Sequence, residues 1–291
     1  MGTKRWTGLE QPTAQNRTRE NNSIFMEFLS VLGRSSAQDY DLSWEQKQYL
    51  KRMTLQVCLI GQDGFVLASD KNCKRFGDHE FSFAFSTSKI FDNAEQSAAW
   101  CSSGHDRVKR VCRAFEEALS KRDQNNVASF KELHELLVTA MTSVRDAFPW
   151  ENQSSPGAIL LIAWRGGKGI GRRYDFGCVI NSERPSWGIV GYEDIDGLGM
   201  AGTANNPAVY FCQRYYSQGR AVKDLLYLAA HTVLCGGQID PFAIKGVEAI
   251  VCKRGQLKRL LDSEIAEILA NSKRLDDYIA KQFGNAPDVI G

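Results

Sequence analysis

The sequence predicts an α+β fold in which antiparallel sheets stack on one another with helices outside. Two observations predict it. Strands and helices come in blocks, in the order four strands, two helices, three or so strands, two helices, two strands and a helix. Blocks of this kind are not the alternating βα units that build a parallel sheet. The second observation is bulk composition: 291 residues, 43% hydrophobic and 24% charged, are ordinary for a globular chain with a sizeable core.

The first strands begin at Thr54. "TLQVCLI" is a β-rich run, "GQDG" carries turn chemistry and "FVLASD" is a second run, so Thr54 to Asp70 predicts a hairpin. "EFSFAFSTSKIF" and "SAAWCSS" supply the second pair of strands. Two helical patterns follow. "DRVKRVCRAFEEALSKR" puts Val108, Val111, Cys112, Phe115 and Leu119 on one face, and "SFKELHELLVTAMTSVRDAF" does the same with Phe130, Leu133, Leu137 and Met141. Strands return with "GAILLIAWRG", "RRYDFGCVIN" and "WGIVGYE"; helices return with "NPAVYFCQRYYS" and "AVKDLLYLAAHTVLCGG". The chain closes on "GVEAIVCKR", "QLKRL" and a helix over "DSEIAEILANSKRLDDYIAKQF".

Residues 1–53 have a different texture. They are polar and aperiodic apart from an apolar patch that predicts one short helix at Ile24 to Leu32. The expected organisation is therefore a flexible extension or propeptide over 1–53 and a single domain over 54–291.

Several function classes are disfavoured. Net charge is +2 and the basic residues are scattered among acidic ones, which does not point to nucleic acid. No apolar run reaches the roughly 18 residues of a membrane span, and the start lacks a secretory pattern, so a soluble, cytoplasmic protein is expected. Eight cysteines without a CxxC pair, mostly in apolar segments, fit buried thiols in a reducing compartment. The four histidines have no metal-ligand spacing, and "HELLV" at His134 lacks the second histidine of a zinc helix. "RGGKGIGR", Arg165 to Arg172, lies between two strand patterns and reads as a hairpin loop, not a phosphate cradle.

What remains is the hairpin at Thr54. By spacing alone it is an ordinary hairpin with Asp70 and Lys71 at the surface. The chemical alternative is a nucleophilic Thr54 presented on an edge strand. A threonine hydroxyl needs a base, and a chain that begins with threonine carries one in its α-amine, whose pKa is near 8. That chemistry requires Thr54 to be the first residue.

"TLQVCLIGQDGFVLASDK" resembles the first hairpin of a proteasome β-type subunit or a bacterial proteasome-like protein of the Ntn-hydrolase family. Other stretches are similar to that family in order over most of residues 54–270: "SKIF", "SSGHDRVKRVCRAFEEAL", "AGTANNPAVYFCQRYYSQGRAVKDLLYLAAHTVL" and "QIDPFAIKGVEAIVCKRGQLKRL". The resemblance implies a four-layer αββα sandwich with two stacked, mainly antiparallel sheets. It implies Thr54 as nucleophile, Asp70 as the carboxylate ending the second strand, Lys89 as the active-site lysine and Asp240 as a residue that fixes the nucleophile's surroundings. An oxyanion donor is implied among the backbone N–H groups of Ser102, Ser103 and Gly104. No cofactor or metal is implied.

The match has departures. The stretch between Asp70 and Lys89 is about three residues longer than in the family, and two assisting serines are replaced, one near Ala204 and the other by Ala243. The expected activity is threonine-type hydrolysis of peptide bonds by a subunit of a homo- or hetero-oligomeric ring, with an unfoldase as a possible partner. Two alternatives stay open: a structural ring subunit without activity, and an Ntn amidohydrolase acting on a small amide. Thr54 becomes the first residue either by self-cleavage after Met53 or by translation from Met53 with removal of that methionine.

Overall fold

A computed structural model describes residues 54–76, 82–122, 126–149, 155–179, 186–203 and 206–284. All of them fall in the unit Gln48–Gly291. The expected helix at Ile24 to Leu32, and the rest of 1–53, lie outside the described residues.

The apolar run after Thr54 forms β1 (Leu55–Gly61) and β2 (Gly64–Ser69), joined at Gly61 and Gly64 by a tight turn over Gln62 and Asp63. β1 is not an edge strand. β10 (Leu198–Gly202) pairs antiparallel on its other side, and β11 (Glu248–Lys253) and β12 (Gln256–Arg259) extend the sheet beyond β2, giving the order β10-β1-β2-β11-β12. β10 is a strand the sequence pattern hides. Its glycines deplete β propensity, yet Gly199 and Gly202 are what the packing requires, because a Cβ on Gly199 would sit 2.6 Å from Ile195 Cδ1.

The second sheet has the order β5-β6-β7-β8-β9 and is antiparallel throughout. Its strands are β5 (Ile90–Asn93), β6 (Ala98–Gly104), β7 (Gly157–Arg165), β8 (Lys168–Val179) and β9 (Ser186–Ile195). The glycine-rich "RGGKGIGR" makes the tight β7–β8 turn, with Gly166 and Gly167 at φ +56° and +80°. A two-stranded ribbon, β3 (Asn72–Phe76) with β4 (Ser82–Ser86), lies between β2 and β5 in the chain. The sequence pattern marks only the second of its strands.

Three apolar clusters define four layers. Cys58, Phe65, Leu67, Cys101, Leu160 and Ile162 come from both sheets and fill the space between them. Helices α1 (Asp106–Ser120) and α2 (Phe130–Ala147) cover the outer face of the second sheet. The predicted stripe Val108, Val111, Cys112, Phe115 and Leu119 is buried there. Ser129 and Glu132 start α2 with a capping box. Helices α3 (Ala208–Tyr215), α4 (Val222–Ile239) and α5 (Asp262–Gly284) cover the first sheet through residues such as Val209, Leu225, Val233 and Ile268. The arrangement is the αββα sandwich expected from the sequence. β1 and β2 are apolar on both faces because one face meets helices and the other the opposite sheet.

Candidate active site

The site forms where β1 begins. Antiparallel pairing sets Gln56 opposite Ser69, so Asp70 arrives one residue past the end of β2, beside Leu55. There the backbone N–H of Asp70 donates to Leu55 O at 3.2 Å, and its Oδ1 accepts from Leu55 N–H at 3.0 Å. Oδ2 accepts from Asn72 N–H, also at 3.0 Å. Far from being a surface residue, Asp70 is fully buried.

Lys89 precedes β5, and its ammonium crosses to the start of β1. Nζ donates to Asp70 Oδ2 at 2.8 Å and to Thr54 Oγ1 at 2.7 Å. Thr54 is 7% exposed and Lys89 3%, so the ion pair is shielded from water and salt. Burial pushes the Asp70 carboxyl up to about 6, while the Lys89 ammonium and the N–H groups of Leu55 and Asn72 pull it back. The stretch between Asp70 and Lys89 contains the ribbon of β3 and β4, and Lys89 still reaches Thr54.

The Lys89 backbone is held from the first sheet. Glu248, on β11 opposite Ser69, accepts from Lys89 N–H at 2.5 Å, from Ile90 N–H at 3.2 Å and from Ser88 Oγ at 2.7 Å. Arg259 on β12 donates to the same carboxylate at 3.5 Å. A buried glutamate is costly without such partners. Its position in the apolar run "GVEAIVCKR" was the available signal of a special role.

Thr54 is held from β10. Its carbonyl accepts from Thr203 N–H at 2.7 Å and from Thr203 Oγ1 at 2.9 Å. Gly202 makes this approach possible: it has φ +87°, and a Cβ there would fall 1.8 Å from Thr54 O. Ala204 itself lies outside the described residues, and the hydroxyl that bonds the Thr54 carbonyl comes from Thr203, one residue earlier.

Asp240 is not brought to Thr54. It caps the C-terminal end of α4, and its Oδ1 accepts from Ala243 N–H at 3.0 Å. The loop it shapes presents the carbonyls of Phe242 and Ala243 to the Asn72 side chain, at 3.1 and 3.0 Å. Among the described residues, the contacts of Asp240 lead to the site through Asn72 and Asp70.

Ser102, Ser103 and Gly104 end β6, where the first two are buried and Gly104 is exposed with φ +92°. Gln56, two residues after Thr54 on the same face of β1, donates from Nε2 to Ser102 O at 2.8 Å. Sequence reasoning missed Gln56, Asn72, Thr203 and Glu248. Among the described residues no three His, Cys, Asp or Glu side chains are grouped as metal ligands would be. No helix there is long and apolar enough to cross a membrane.

The geometry is chemically suited to a nucleophilic hydroxyl. An ammonium within hydrogen-bond distance of Thr54 Oγ1 lowers the cost of an alkoxide, and the buried carboxylate orients that ammonium.

No family model matches the chain, and no curated protein matches it in sequence. Solved structures do match. Anbu from Hyphomicrobium sp. strain MC1 superposes with TM-score 0.56 at 11% identity, over 81% of this chain and 100% of that one. A Gly-1 mutant of the same protein gives 0.56 at 12%, over 82% and 100%. Anbu from Yersinia bercovieri, described as an ancestral β-subunit, gives 0.57 at 13%, over 81% and 100%. At such identities the likeness shows the fold alone: the two-sheet αββα sandwich that this chain shares with the Anbu structures. The assignment to proteasome β-type subunits or their bacterial proteasome-like relatives is corrected accordingly. The five stretches that carried it are supported by no family model and no curated sequence.

Proposed function

We propose that this chain is an N-terminal threonine hydrolase that cleaves amide bonds in peptides once Thr54 is its first residue. The observation that carries the reading is the buried triad in which Lys89 Nζ bonds both Thr54 Oγ1, at 2.7 Å, and Asp70 Oδ2, at 2.8 Å. The hydroxyl of Thr54 adds to the substrate carbonyl while its free α-amine takes the proton, directly or through water. The amine leaving group departs protonated, and water then hydrolyses the ester on Thr54.

Exposure of Thr54 follows the same chemistry when residues 1–53 precede it. Oγ1 adds to the Met53 carbonyl, the Met53–Thr54 C–N bond breaks to leave an ester and a free α-amine, and water releases the leader. In this reading 1–53 is a propeptide or extension and 54–291 the catalytic domain. Asp240 acts by shaping the loop behind Asn72. The oxyanion donor lies among the N–H groups of Ser102 to Gly104. The description of the Yersinia protein as a β-subunit supports assembly of this chain into an oligomer.

The test is the intact mass and N-terminal sequence of purified protein, followed by peptidase assay and labelling with an electrophile specific for N-terminal threonine. Expected are a chain beginning at Thr54, labelling at Thr54, and no activity in Thr54→Ala. A persistent 291-residue chain that is neither labelled nor active would instead identify a structural subunit. Activity on small amides but not on peptides would move the substrate class.

A further inference from the structure

We propose that Gln56 is a positioning residue of this site: its side-chain amide clamps the Ser102 peptide so that the Ser102 N–H serves as oxyanion donor beside Thr54. The inference rests on the threonine-hydrolase reading and deepens it.

The direction of the backbone groups on β6 follows from its ladder. Trp164 N–H donates to Ser97 O at 2.9 Å and His105 N–H donates to Pro156 O at 3.1 Å, and the register between these two bonds is unbroken. In an antiparallel strand the N–H and C=O of one residue point to the same side, and successive residues alternate. The odd-numbered residues of β6 therefore turn their backbone groups toward β7. Ser102 and Gly104 turn theirs the other way, toward the side of β5. But β5 begins at Ile90, opposite Cys101, so the ladder stops just before Ser102. The Ser102 N–H and C=O are left facing the space beside Lys89, where the nucleophile is.

Gln56 occupies half of that edge. It is fully buried, and its Nε2 donates to Ser102 O at 2.8 Å and to Ser69 Oγ at 3.4 Å. Ser69 Oγ donates onward to Asp70 O at 3.0 Å. This chain of donors fixes which end of the amide is nitrogen. It also ties the end of β6 to the strand that carries Asp70. With its C=O held by Gln56 and the preceding peptide held by the β7 ladder at Cys101, the Ser102 backbone keeps its N–H turned toward the Thr54 side. The Ser102 hydroxyl is on the opposite face, beside Cys112 of α1, so the backbone is what Ser102 offers to the site.

The Gln56 side chain is not explained by packing. The cluster between the two sheets, which includes Cys58 and Leu67 of the first sheet and Cys101 of the second, is apolar. Its Oε1 is buried with no hydrogen-bond partner among the described residues. Burying an amide whose carbonyl is unpaired costs stability. What the side chain supplies in return is the hold on Ser102.

The experiment compares the full chain as expressed with Gln56→Met, which matches the side chain in length but has no donor. A fluorogenic peptide amide cleaved by the parent, and a peptide boronate of the same sequence, are the probes. The boronate forms a tetrahedral adduct on Thr54 whose oxygen needs the oxyanion donor; ground-state substrate binding does not. Expected for Gln56→Met are a kcat lower by about 10- to 100-fold, KM within about twofold, and boronate affinity weakened in parallel with kcat. If Gln56→Met does not fold, Gln56→Asn, polar but one methylene too short to reach Ser102, must show the same signature. A kcat within about twofold of the parent in the folded variant overturns the role of Gln56, as does a loss shared equally between KM and boronate affinity. A parent whose Thr54→Ala variant hydrolyses as fast sinks the threonine-hydrolase reading itself, and the Gln56 role with it.

Discussion

Lys89 Nζ donates to Thr54 Oγ1 at 2.7 Å from a side chain that is almost fully buried. An ammonium can be kept there only with a counter-charge, which Asp70 supplies at 2.8 Å. Removing one member of a buried pair leaves the other uncompensated, at a cost of about 3–5 kcal/mol, while removing both charges is much cheaper. Lys89→Met is therefore expected to lower unfolding free energy by about that amount, and Lys89→Met with Asp70→Asn to recover most of it. Neither should regain hydrolysis. Denaturant unfolding of the single and double variants checks this; equal destabilisation in both would show that the two charges are not coupled.

Asp70 also sets a pH dependence. Its carboxyl is raised to about 6 by burial, so it is ionised above that pH and takes up a proton below it. Once neutral it no longer balances the Lys89 ammonium or holds it toward Thr54. Labelling of Thr54 by an electrophile should accordingly fall as pH drops through about 6, and should rise again toward pH 8 as the free α-amine becomes an effective base. In Asp70→Asn the acid limb should disappear along with most of the rate. A parental profile flat between pH 5 and pH 7, at about equal rates, would remove Asp70 from the mechanism.

Much of the fold is legible in the amino-acid pattern. The hairpin at Thr54 shows itself because two β-rich runs flank "GQDG", and the helices because apolar residues recur on one face. β10 does not, since Gly197, Gly199 and Gly202 read as a turn; only pairing with β1 makes that segment a strand. The site divides along the same line. Thr54, Asp70 and Lys89 stand out through resemblance, since spacing alone makes Asp70 an ordinary surface residue. Gln56 and Glu248 are visible as polar letters in apolar runs, but what they hold lies 46 and 159 residues away, at Ser102 and Lys89. Local patterning carries no information on such contacts.

Gly202 gives a test of how tightly Thr54 is held. Its φ of +87° is strained for any other residue, and an added Cβ would fall 1.8 Å from the Thr54 carbonyl oxygen. Gly202→Ala must therefore push β10 away from the start of β1, breaking the bonds from Thr203 to Thr54 O. A stability loss of about 2 kcal/mol or more is expected from strain and lost hydrogen bonds. Thr54 reactivity should fall by a larger factor than in Thr203→Val, which keeps the 2.7 Å backbone bond and loses only the hydroxyl. Parental melting and labelling in Gly202→Ala would contradict this.

Glu248 separates support of the fold from support of the chemistry. Its two oxygens take the N–H groups of Lys89 and Ile90, the Ser88 hydroxyl and the Arg259 guanidinium, so it anchors the backbone from which Lys89 reaches Thr54. Glu248→Gln keeps the volume but replaces one acceptor oxygen with an NH2 that faces donors, which costs about 1.5–3 kcal/mol for a charged hydrogen bond lost in the interior. If the role is to aim Lys89, the labelling rate of Thr54 should fall about tenfold even at temperatures where the variant is fully folded. The loss should be insensitive to salt, because the carboxylate is buried. Measuring the labelling rate well below the melting temperature decides the matter: a variant that melts earlier but labels at the parental rate would make Glu248 a brace of β11 and β5 with no hold on the reactive lysine.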